Sequence, residues 1–439
     1  MNKKFYWNSK NITAVLFLII LAALFAGSGF NVGKSILNSF MYYREADEPA
    51  GIISQDAVIR TDAKPTAAGA GGAAPVQAES SRVRTLFSLI NSGITSIEVR
   101  YDENTLFRDK FVFLNSMVQL SFYKKIIEDS VESRTLYIMK NGQLTFGAEK
   151  PDNEENVKNI KELYEFICQK NMKMLYIQAP CKVNKFENLL PYGIDDRANA
   201  YADELLAGMK EYGIPVIDLR NEIHKAGLNY NTLFYNTDPH WRIETAFWAY
   251  GNVMKQLSAN HDLQYNQQTT QLSSFKKIDL PQSFLGSEGI RVGRIVCGTD
   301  DFSYLIPNFE TDYRVQTLND DGSVNKNANG SFYETIIQKE ILETSVRRFR
   351  YQAYFGADYP LIKITNHRQN KGSVLVIKDS FGLPFTGFLS LSFQETDMID
   401  LRLFTKMSLN DFLEKNRYDY ILFIYNPIAL STKELFDFR

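Results

Sequence analysis

Between residues 156 and 260, helical and strand patterns alternate along the chain. Apolar residues recur at helical spacing in Val157–Lys170, and the apolar run Met172–Pro180 then indicates a buried strand. A second helix, Ala202–Gly213, and a second strand, Ile214–Leu219, follow before a third helical pattern at Ile243–Leu257. Alternation of this kind is typical of a parallel sheet covered by helices.

The strand pattern returns near the end of the chain. The stretches "SVLVIKDSFG" (Ser373–Gly382) and "YDYILFIYNP" (Tyr418–Pro427) each have a run of apolar residues followed by a polar turn. Residues 261–370 are more polar and interrupt the alternation, so they predict an inserted region of loops and a few strands. Upstream, Asn141-Gly142 between two short apolar runs in Tyr137–Leu144 predicts a hairpin. The expected fold is α/β with an irregular or β-rich insertion.

The N-terminal segment predicts a membrane anchor. Residues 12–31 are uncharged and long enough to cross a bilayer, and Lys3, Lys4 and Lys10 precede them. We therefore expect a cytoplasmic segment at 1–11, a transmembrane signal anchor at 12–31, a flexible linker at 32–81 and an extracytoplasmic domain at 82–439. A cleaved signal peptide is the alternative, since small residues end the apolar run. Ala, Gly, Pro and Ser dominate the linker over residues 61–81.

Charge and the reactive residue types narrow the classes of function. The net charge of −2 lacks the basic excess that nucleic-acid binding requires. The three cysteines have no metal-type spacing, and the four histidines offer no ligand pair at i, i+4, so we predict no metal and no cofactor.

Two polar clusters next to apolar elements suggest a catalytic serine. Ser380 follows a buried strand, at the edge of the sheet where α/β folds bind ligands. Serine needs a base within hydrogen-bond reach, and His240 in "YNTDPHWR" is the candidate, with Asp238 to orient its imidazole. Taken singly, each cluster is also explained by helix capping, through Asp379 or Ser380 in one case and through Asp238 in the other.

Together the motifs resemble a known family. "YNTDPHW", "VLVIKDSFG", "FQETDMIDLR" and "YDYILFIYN" are similar, in this order, to the SGNH-hydrolase-like proteins of bacterial polysaccharide O-acetylation, in particular the DHHW group and the alginate O-acetylation proteins. The likeness covers about Phe107 to Pro427. Pro239 stands where the family often has His or Thr, and Lys378 stands where it often has Gly before the Asp-Ser pair.

The resemblance implies a three-layer α/β/α sandwich with a Ser380–His240–Asp238 triad. The histidine motif precedes the serine motif, which implies a circularly permuted order. The implied function is an O-acetyltransferase that forms an acyl-serine and acetylates a cell-envelope or secreted polysaccharide. The implied partner is a membrane-bound O-acyltransferase that supplies acetyl groups across the bilayer. A carbohydrate O-acetyl esterase with the same triad and a non-catalytic scaffold of a polysaccharide assembly complex remain alternatives.

Four further residues are candidates for contacts with substrate. The stretch "APCKVN" (Ala179–Asn184) resembles the family's Pro-x-Lys loop after the first strand, which implies that Lys182 lies at the rim of the cleft; a solvated surface lysine is the alternative. Trp241 follows the histidine, and Asn426 follows the last strand, where it would donate to an oxyanion or form an Asn-Pro turn. Arg402 would contact substrate or pair with Asp400, and the second interpretation is favoured.

Overall fold

The computed structural model describes residues 125–128, 135–261, 263–343 and 349–439. The predicted anchor at 12–31 and the predicted linker at 32–81 lie outside these residues. Among the helices that the structure describes, none has both the length and the apolar character needed to cross a membrane.

Thirteen strands are present in the described residues. They are β1 (Ile126–Glu128), β2 (Thr135–Ile138), β3 (Leu144–Phe146), β4 (Lys173–Gln178), β5 (Val216–Asp218), β6 (Phe275–Phe284), β7 (Asp300–Pro307), β8 (Tyr313–Leu318), β9 (Val324–Gly330), β10 (Leu361–Asn366), β11 (Ser373–Lys378), β12 (Glu395–Ile399) and β13 (Tyr420–Tyr425).

The α-helices in the same residues are α1 (Asn153–Gln169), α2 (Arg197–Glu211), α3 (Leu219–Lys225), α4 (Ile243–His261), α5 (Ser287–Val292), α6 (Arg294–Cys297), α7 (Phe332–Thr335), α8 (Lys339–Leu342), α9 (Gly382–Leu389) and α10 (Leu409–Lys415). Short 3₁₀ turns lie at Tyr230–Thr232, Gln267–Thr270, Leu272–Ser274, Arg350–Ala353, Pro427–Ser431 and Lys433–Phe436.

An eight-stranded mixed sheet forms the centre of the domain. Its strand order is β5-β4-β13-β11-β12-β10-β8-β9. The first five strands run parallel, and β10, β8 and β9 continue the sheet by antiparallel pairing. The predicted alternation of helices and strands is therefore confirmed for the parallel half. Because parallel strands end at a common edge, the turns after β4, β11 and β13 meet there.

Helices cover both faces of the sheet, and the side chains of β11 show how. Val374 and Val376 pack in one core with α4 and α9, whereas Leu375 and Ile377 pack in a second core with α1, α2 and α10. This alternation follows from the two-residue period of a strand, and it explains why the strand is apolar at successive positions. The layers form an α/β fold, as the resemblance implied. The predicted circular permutation stays a prediction.

The region predicted as an insertion is more closely built into the fold than its sequence indicated. β6 and β7 form a separate antiparallel pair, but β8, β9 and β10 extend the central sheet. The expectation of a parallel sheet is corrected accordingly: the sheet is mixed, because the insertion supplies its antiparallel half. The predicted hairpin around Asn141-Gly142 is confirmed by the antiparallel pairing of β2 with β3.

Candidate active site

Ser380 lies in the turn between β11 and α9. The Asp379 N–H closes the strand by donating to Ile424 O on neighbouring β13, and the Phe381 N–H donates to the Asp379 carboxylate. The Gly382 N–H donates to Asp379 O, so the turn uses both of these N–H groups internally. Within the part of the chain that the structure describes, the Ser380 N–H donates to no acceptor. The Ser380 hydroxyl and its own backbone N–H therefore lie together at this turn.

His240 connects Ser380 to Asp238. His240 Nε2 lies 2.6 Å from Ser380 Oγ, and His240 Nδ1 lies 2.6 Å from Asp238 Oδ1. Because the Asp238 carboxylate can only accept, the network assigns the proton to Nδ1 and leaves Nε2 to accept from the serine hydroxyl. The three residues that sequence reasoning selected, from segments about 140 residues apart, are therefore brought together in one hydrogen-bonded row.

The Asp238 carboxylate is fully buried and held by several donors. Oδ1 also accepts from the His240 N–H at 3.1 Å, and Oδ2 accepts from the Ser287 N–H at 3.0 Å. Burial alone raises the pKa of a carboxyl group, but the His240 ring and these backbone N–H groups outweigh it and hold the pKa of Asp238 below its usual value. Asp238 is therefore ionised at neutral pH, as required of a group that orients an imidazole.

The loop that carries Asp238 is fixed from β7. The Asp300 carboxylate accepts from the Asn236 N–H at 2.7 Å and from the Thr237 N–H and hydroxyl at 2.8 and 2.7 Å. Asp300 is buried, so these charge-assisted bonds are shielded from water. The loop is thus held in place by bonds from a neighbouring strand.

The segment that leads into α5 packs directly against this loop. The Gly286 N–H donates to the Thr237 hydroxyl, and the Gly289 N–H donates to Thr237 O. A Cβ atom at Gly286 would lie 2.2 Å from Asp238 Cβ and 2.6 Å from Asp238 Oδ2. The backbone therefore approaches the carboxylate as closely as only glycine permits.

Gly286→Ala is expected to displace Asp238 and to lower both stability and activity. Overpacking of this kind typically costs about 1–3 kcal/mol, and a misplaced acid–base group can lower kcat by about 10²-fold. Urea unfolding measures the loss of stability, and turnover of an activated ester measures the loss of activity. Gly251→Ala in α4 is the matched control, because its added Cβ meets only Thr270 at 3.7 Å. Equal activity of the two variants would contradict the close packing at Gly286.

A buried ion pair lies against the same loop. Lys182 Nζ lies 2.6 Å from Glu288 Oε2, and it also donates to Leu144 O at 2.6 Å and to Asn236 O at 3.3 Å. Lys182 is 2% exposed and Glu288 is 0% exposed. Burial raises the pKa of the Glu288 carboxyl to about 7, although Lys182 opposes this shift. The lysine thus joins β3, the Asp238 loop and α5.

The position of Lys182 corrects the expectation of a substrate contact at the cleft rim. Its side chain turns inward, where a carboxylate and two backbone carbonyls compensate the buried ammonium. Trp241 is also fully buried, and its indole N–H donates to Tyr351 Oη at 2.9 Å, so it does not face a substrate either. Both side chains support the site from inside.

The side chains of Asn426 and Arg402 also form hydrogen bonds with other residues of the protein. Asn426 Nδ2 donates to Asp379 Oδ2 at 2.7 Å, while its Oδ1 accepts from the Ile428 N–H at 2.8 Å and forms the turn. The Arg402 Nε–H donates to Asp400 Oδ1 at 2.8 Å, which confirms the favoured structural pairing with Asp400.

The Lys378 ammonium lies in a cluster of charged side chains. It pairs with Asp400 at 2.9 Å and with Asp358. Burial would raise the pKa of the Asp400 carboxyl, but the Lys378 ammonium and the Arg402 guanidinium outweigh it and hold this pKa well below its usual value. The cluster therefore anchors the end of β11.

Sequence reasoning missed three residues that surround the site. Ser287 and Glu288 lie in "FLGSEG", which has the composition of an ordinary turn, and Tyr351 lies in the polar insertion. None of them has a sequence signal of its own. Across the residues with described side chains, no three His, Cys, Asp or Glu groups are arranged to hold a metal ion.

Two family models match this part of the chain. Residues 139–286 match the SGNH hydrolase-like domain of acetyltransferase AlgX, and residues 221–399 match the DHHW protein family. The resemblance to these families is confirmed. Together the matches contain Asp238, His240 and Ser380, and they relate the chain to acetyltransferases of the SGNH-like type.

Solved structures share the fold. Bacillus cereus PatB1 with a sulfonyl adduct is 21% identical with a TM-score of 0.59, covering 70% of this chain and 100% of PatB1. PatB1 without the adduct is 21% identical with a TM-score of 0.58, covering 70% of this chain and 100% of PatB1. A DHHW family protein from Eubacterium siraeum is 16% identical with a TM-score of 0.53, covering 71% of this chain and 96% of that protein. No curated protein sequence matches the chain.

Proposed function

We propose that this protein is an extracytoplasmic O-acetyltransferase that acetylates a cell-envelope or secreted polysaccharide through Ser380. The observation that carries the proposal is the row of two 2.6 Å contacts from Ser380 Oγ through His240 to Asp238. The AlgX-type match over residues 139–286 supports acetyl as the transferred group. A membrane-bound O-acyltransferase remains the proposed source of the acetyl groups, and the anchor at residues 12–31 would hold the domain near it.

In the proposed first step, Ser380 Oγ attacks the acetyl carbonyl of the donor while His240 Nε2 takes the hydroxyl proton. The imidazolium is stabilised by ionised Asp238, and it then protonates the leaving oxygen as the donor C–O bond breaks. The Ser380 N–H is a candidate donor to the oxyanion, since no described acceptor occupies it. A positioned base contributes about 10²–10⁴-fold and one oxyanion donor about 10²–10³-fold.

In the proposed second step, a sugar hydroxyl takes the place of the donor. His240 Nε2 accepts its proton as the sugar oxygen attacks the acetyl-serine, and the imidazolium returns the proton to Ser380 Oγ. The acetyl group leaves as an ester of the sugar. Hydrolysis differs only in that water attacks instead, so the identity of the acceptor separates a transferase from an esterase.

A sulfonyl fluoride tests the nucleophile directly. We expect it to modify Ser380 in the purified full-length protein, because the base that activates the hydroxyl for acetyl also activates it for sulfonyl transfer. PatB1 carries a sulfonyl adduct in its solved structure. Peptide mass spectrometry locates the modification. Ser380→Ala should remain unmodified and lose acetyl-ester turnover.

Ser373→Ala is the matched control for this experiment. Ser373 begins the same strand and its hydroxyl donates to the Asp419 carboxylate at 3.1 Å, and no histidine among the described residues bonds to it. This variant should be labelled as the wild type is. Labelling that persists in Ser380→Ala would refute the assigned nucleophile. With the wild type, an acetyl ester plus an oligosaccharide should give acetylated sugar, and release of acetate alone would identify an esterase.

A further inference from the structure

Tyr351 lies between the segment that carries His240 and the turn that carries Ser380. Its hydroxyl oxygen accepts from the Trp241 indole N–H at 2.9 Å, and its O–H donates to Phe381 O at 3.3 Å. Trp241 directly follows the histidine, and Phe381 directly follows the serine. One phenol therefore joins two segments that are 140 residues apart in sequence.

The ring of Tyr351 also covers one face of the imidazole. The two ring centroids are 4.0 Å apart and the ring planes differ by 23°, which is a stacked arrangement. Phe381 contacts the imidazole at 5.2 Å in a tilted geometry. With Nδ1 bonded to Asp238 and one face stacked, the imidazole has little freedom to rotate about its χ2 torsion.

The environment of the phenol suits this double role. Tyr351 is fully buried, and burial raises the pKa of its hydroxyl well above the ordinary value. The hydroxyl therefore keeps its proton, so it can accept one hydrogen bond and donate another at the same time. Removing the hydroxyl would take the acceptor away from the buried Trp241 N–H, and an unpaired buried donor destabilises the surrounding structure.

We propose that Tyr351 is a positioning residue for acetyl transfer, which sets the separation between His240 Nε2 and Ser380 Oγ. The inference rests on the proposed function of those two residues. Tyr351 acts through the histidine and through the serine turn. The tyrosine belongs to the Arg350–Ala353 turn, so the inserted region contributes directly to the site.

Two variants separate the hydroxyl from the ring. Tyr351→Phe keeps the stacked ring and removes both hydrogen bonds, and we expect kcat for an acetyl ester to fall about 10-fold with KM changed less than about twofold. Tyr351→Leu removes the ring as well, and we expect a loss of about 100-fold, as is typical when an acid–base group moves by about 1 Å. A loss confined to KM in both variants would overturn the inference.

Tyr354→Phe provides the control for a merely structural effect. Tyr354 is equally buried three residues further on, and its hydroxyl accepts from the Leu305 N–H at 3.3 Å, away from the three triad residues. We expect the melting temperature of the Tyr354→Phe variant to fall about as far as that of Tyr351→Phe, with its kcat unchanged. If both variants lost kcat equally, Tyr351 would have only a structural role.

A readout that does not need activity distinguishes this inference from the proposed function. The chain has four histidines, so the imidazole protons of His240 can be assigned by comparison with His240→Gln. We expect the ring-current shift caused by stacking to persist in Tyr351→Phe and to disappear in Tyr351→Leu. An unlabelled, inactive wild type would refute the function, whereas His240 signals unchanged in Tyr351→Leu would refute the positioning role.

Discussion

Replacing His240 with alanine is expected to lower kcat/KM for an acetyl ester by about 10⁴- to 10⁶-fold, the range observed for serine enzymes that lose their base. The reason is that the Ser380 hydroxyl then has no acceptor for its proton. The Ser380→Ala/His240→Ala double variant should be no worse than either single variant, because the two residues act as one unit. Steady-state kinetics on the purified protein measures all three.

Asp238→Asn should lower kcat by about 10⁴-fold with little change in the fold, because the amide no longer favours the tautomer with its proton on Nδ1. His224→Ala is the control, since His224 is exposed and stacks on Phe186, away from the triad. If the losses of activity in the Ser380→Ala/His240→Ala double variant were instead the product of the two single losses, the residues would act independently, and a shared mechanism would be contradicted.

Lys182→Met is expected to destabilise the protein by about 3–5 kcal/mol, the usual result of removing one partner from a buried ion pair. Glu288 would keep a carboxyl group at 0% exposure without its cation, and Leu144 O and Asn236 O would lose a donor. Urea unfolding measures the change. Lys161→Met is the control, because its pair with Glu165 is solvent-exposed and such pairs contribute about 0–1 kcal/mol.

The pH dependence of this loss follows from the state of Glu288. Its pKa, raised to about 7 by burial, means that the folded protein binds this proton more tightly than the unfolded chain does. Removing Lys182 should therefore destabilise the fold more at pH 8, where the carboxyl is ionised, than at pH 5. The double variant Lys182→Met/Glu288→Met should recover stability relative to Lys182→Met alone. Failure to recover would show that the lysine contributes through its carbonyl contacts alone.

The sequence predicted the parallel half of the domain well because its signals are local. A helix repeats its apolar face every three to four residues, and a buried strand is a short apolar run, so α1, β4, α2, β5 and α4 could be inferred from neighbouring positions alone. The antiparallel half could not. β10 pairs with β12, β8 pairs with β10 and β9 pairs with β8, and no local sequence pattern indicates which strand becomes the neighbour.

The site divides in the same way. Ser380, His240 and Asp238 could be selected from their residue types and from their positions beside apolar elements. Lys182 shows the limit of such reasoning. A lysine after a strand looks like a surface residue, and only the buried carboxylate of Glu288, 106 residues away, explains its inward position.

The sequence by itself indicated β4, β5, β11 and β13 of the parallel sheet and the three residues of the proposed triad, since these depend on residue types within a few positions. The tertiary structure decided how those residues are held. Tyr351 bridges the His240 and Ser380 segments. Gly286 leaves room for the Asp238 carboxylate, and Asp300 fixes the loop that carries Asp238. Each of these contacts joins segments far apart in the chain, and a pattern read along one segment carries no information about the surface against which it will pack.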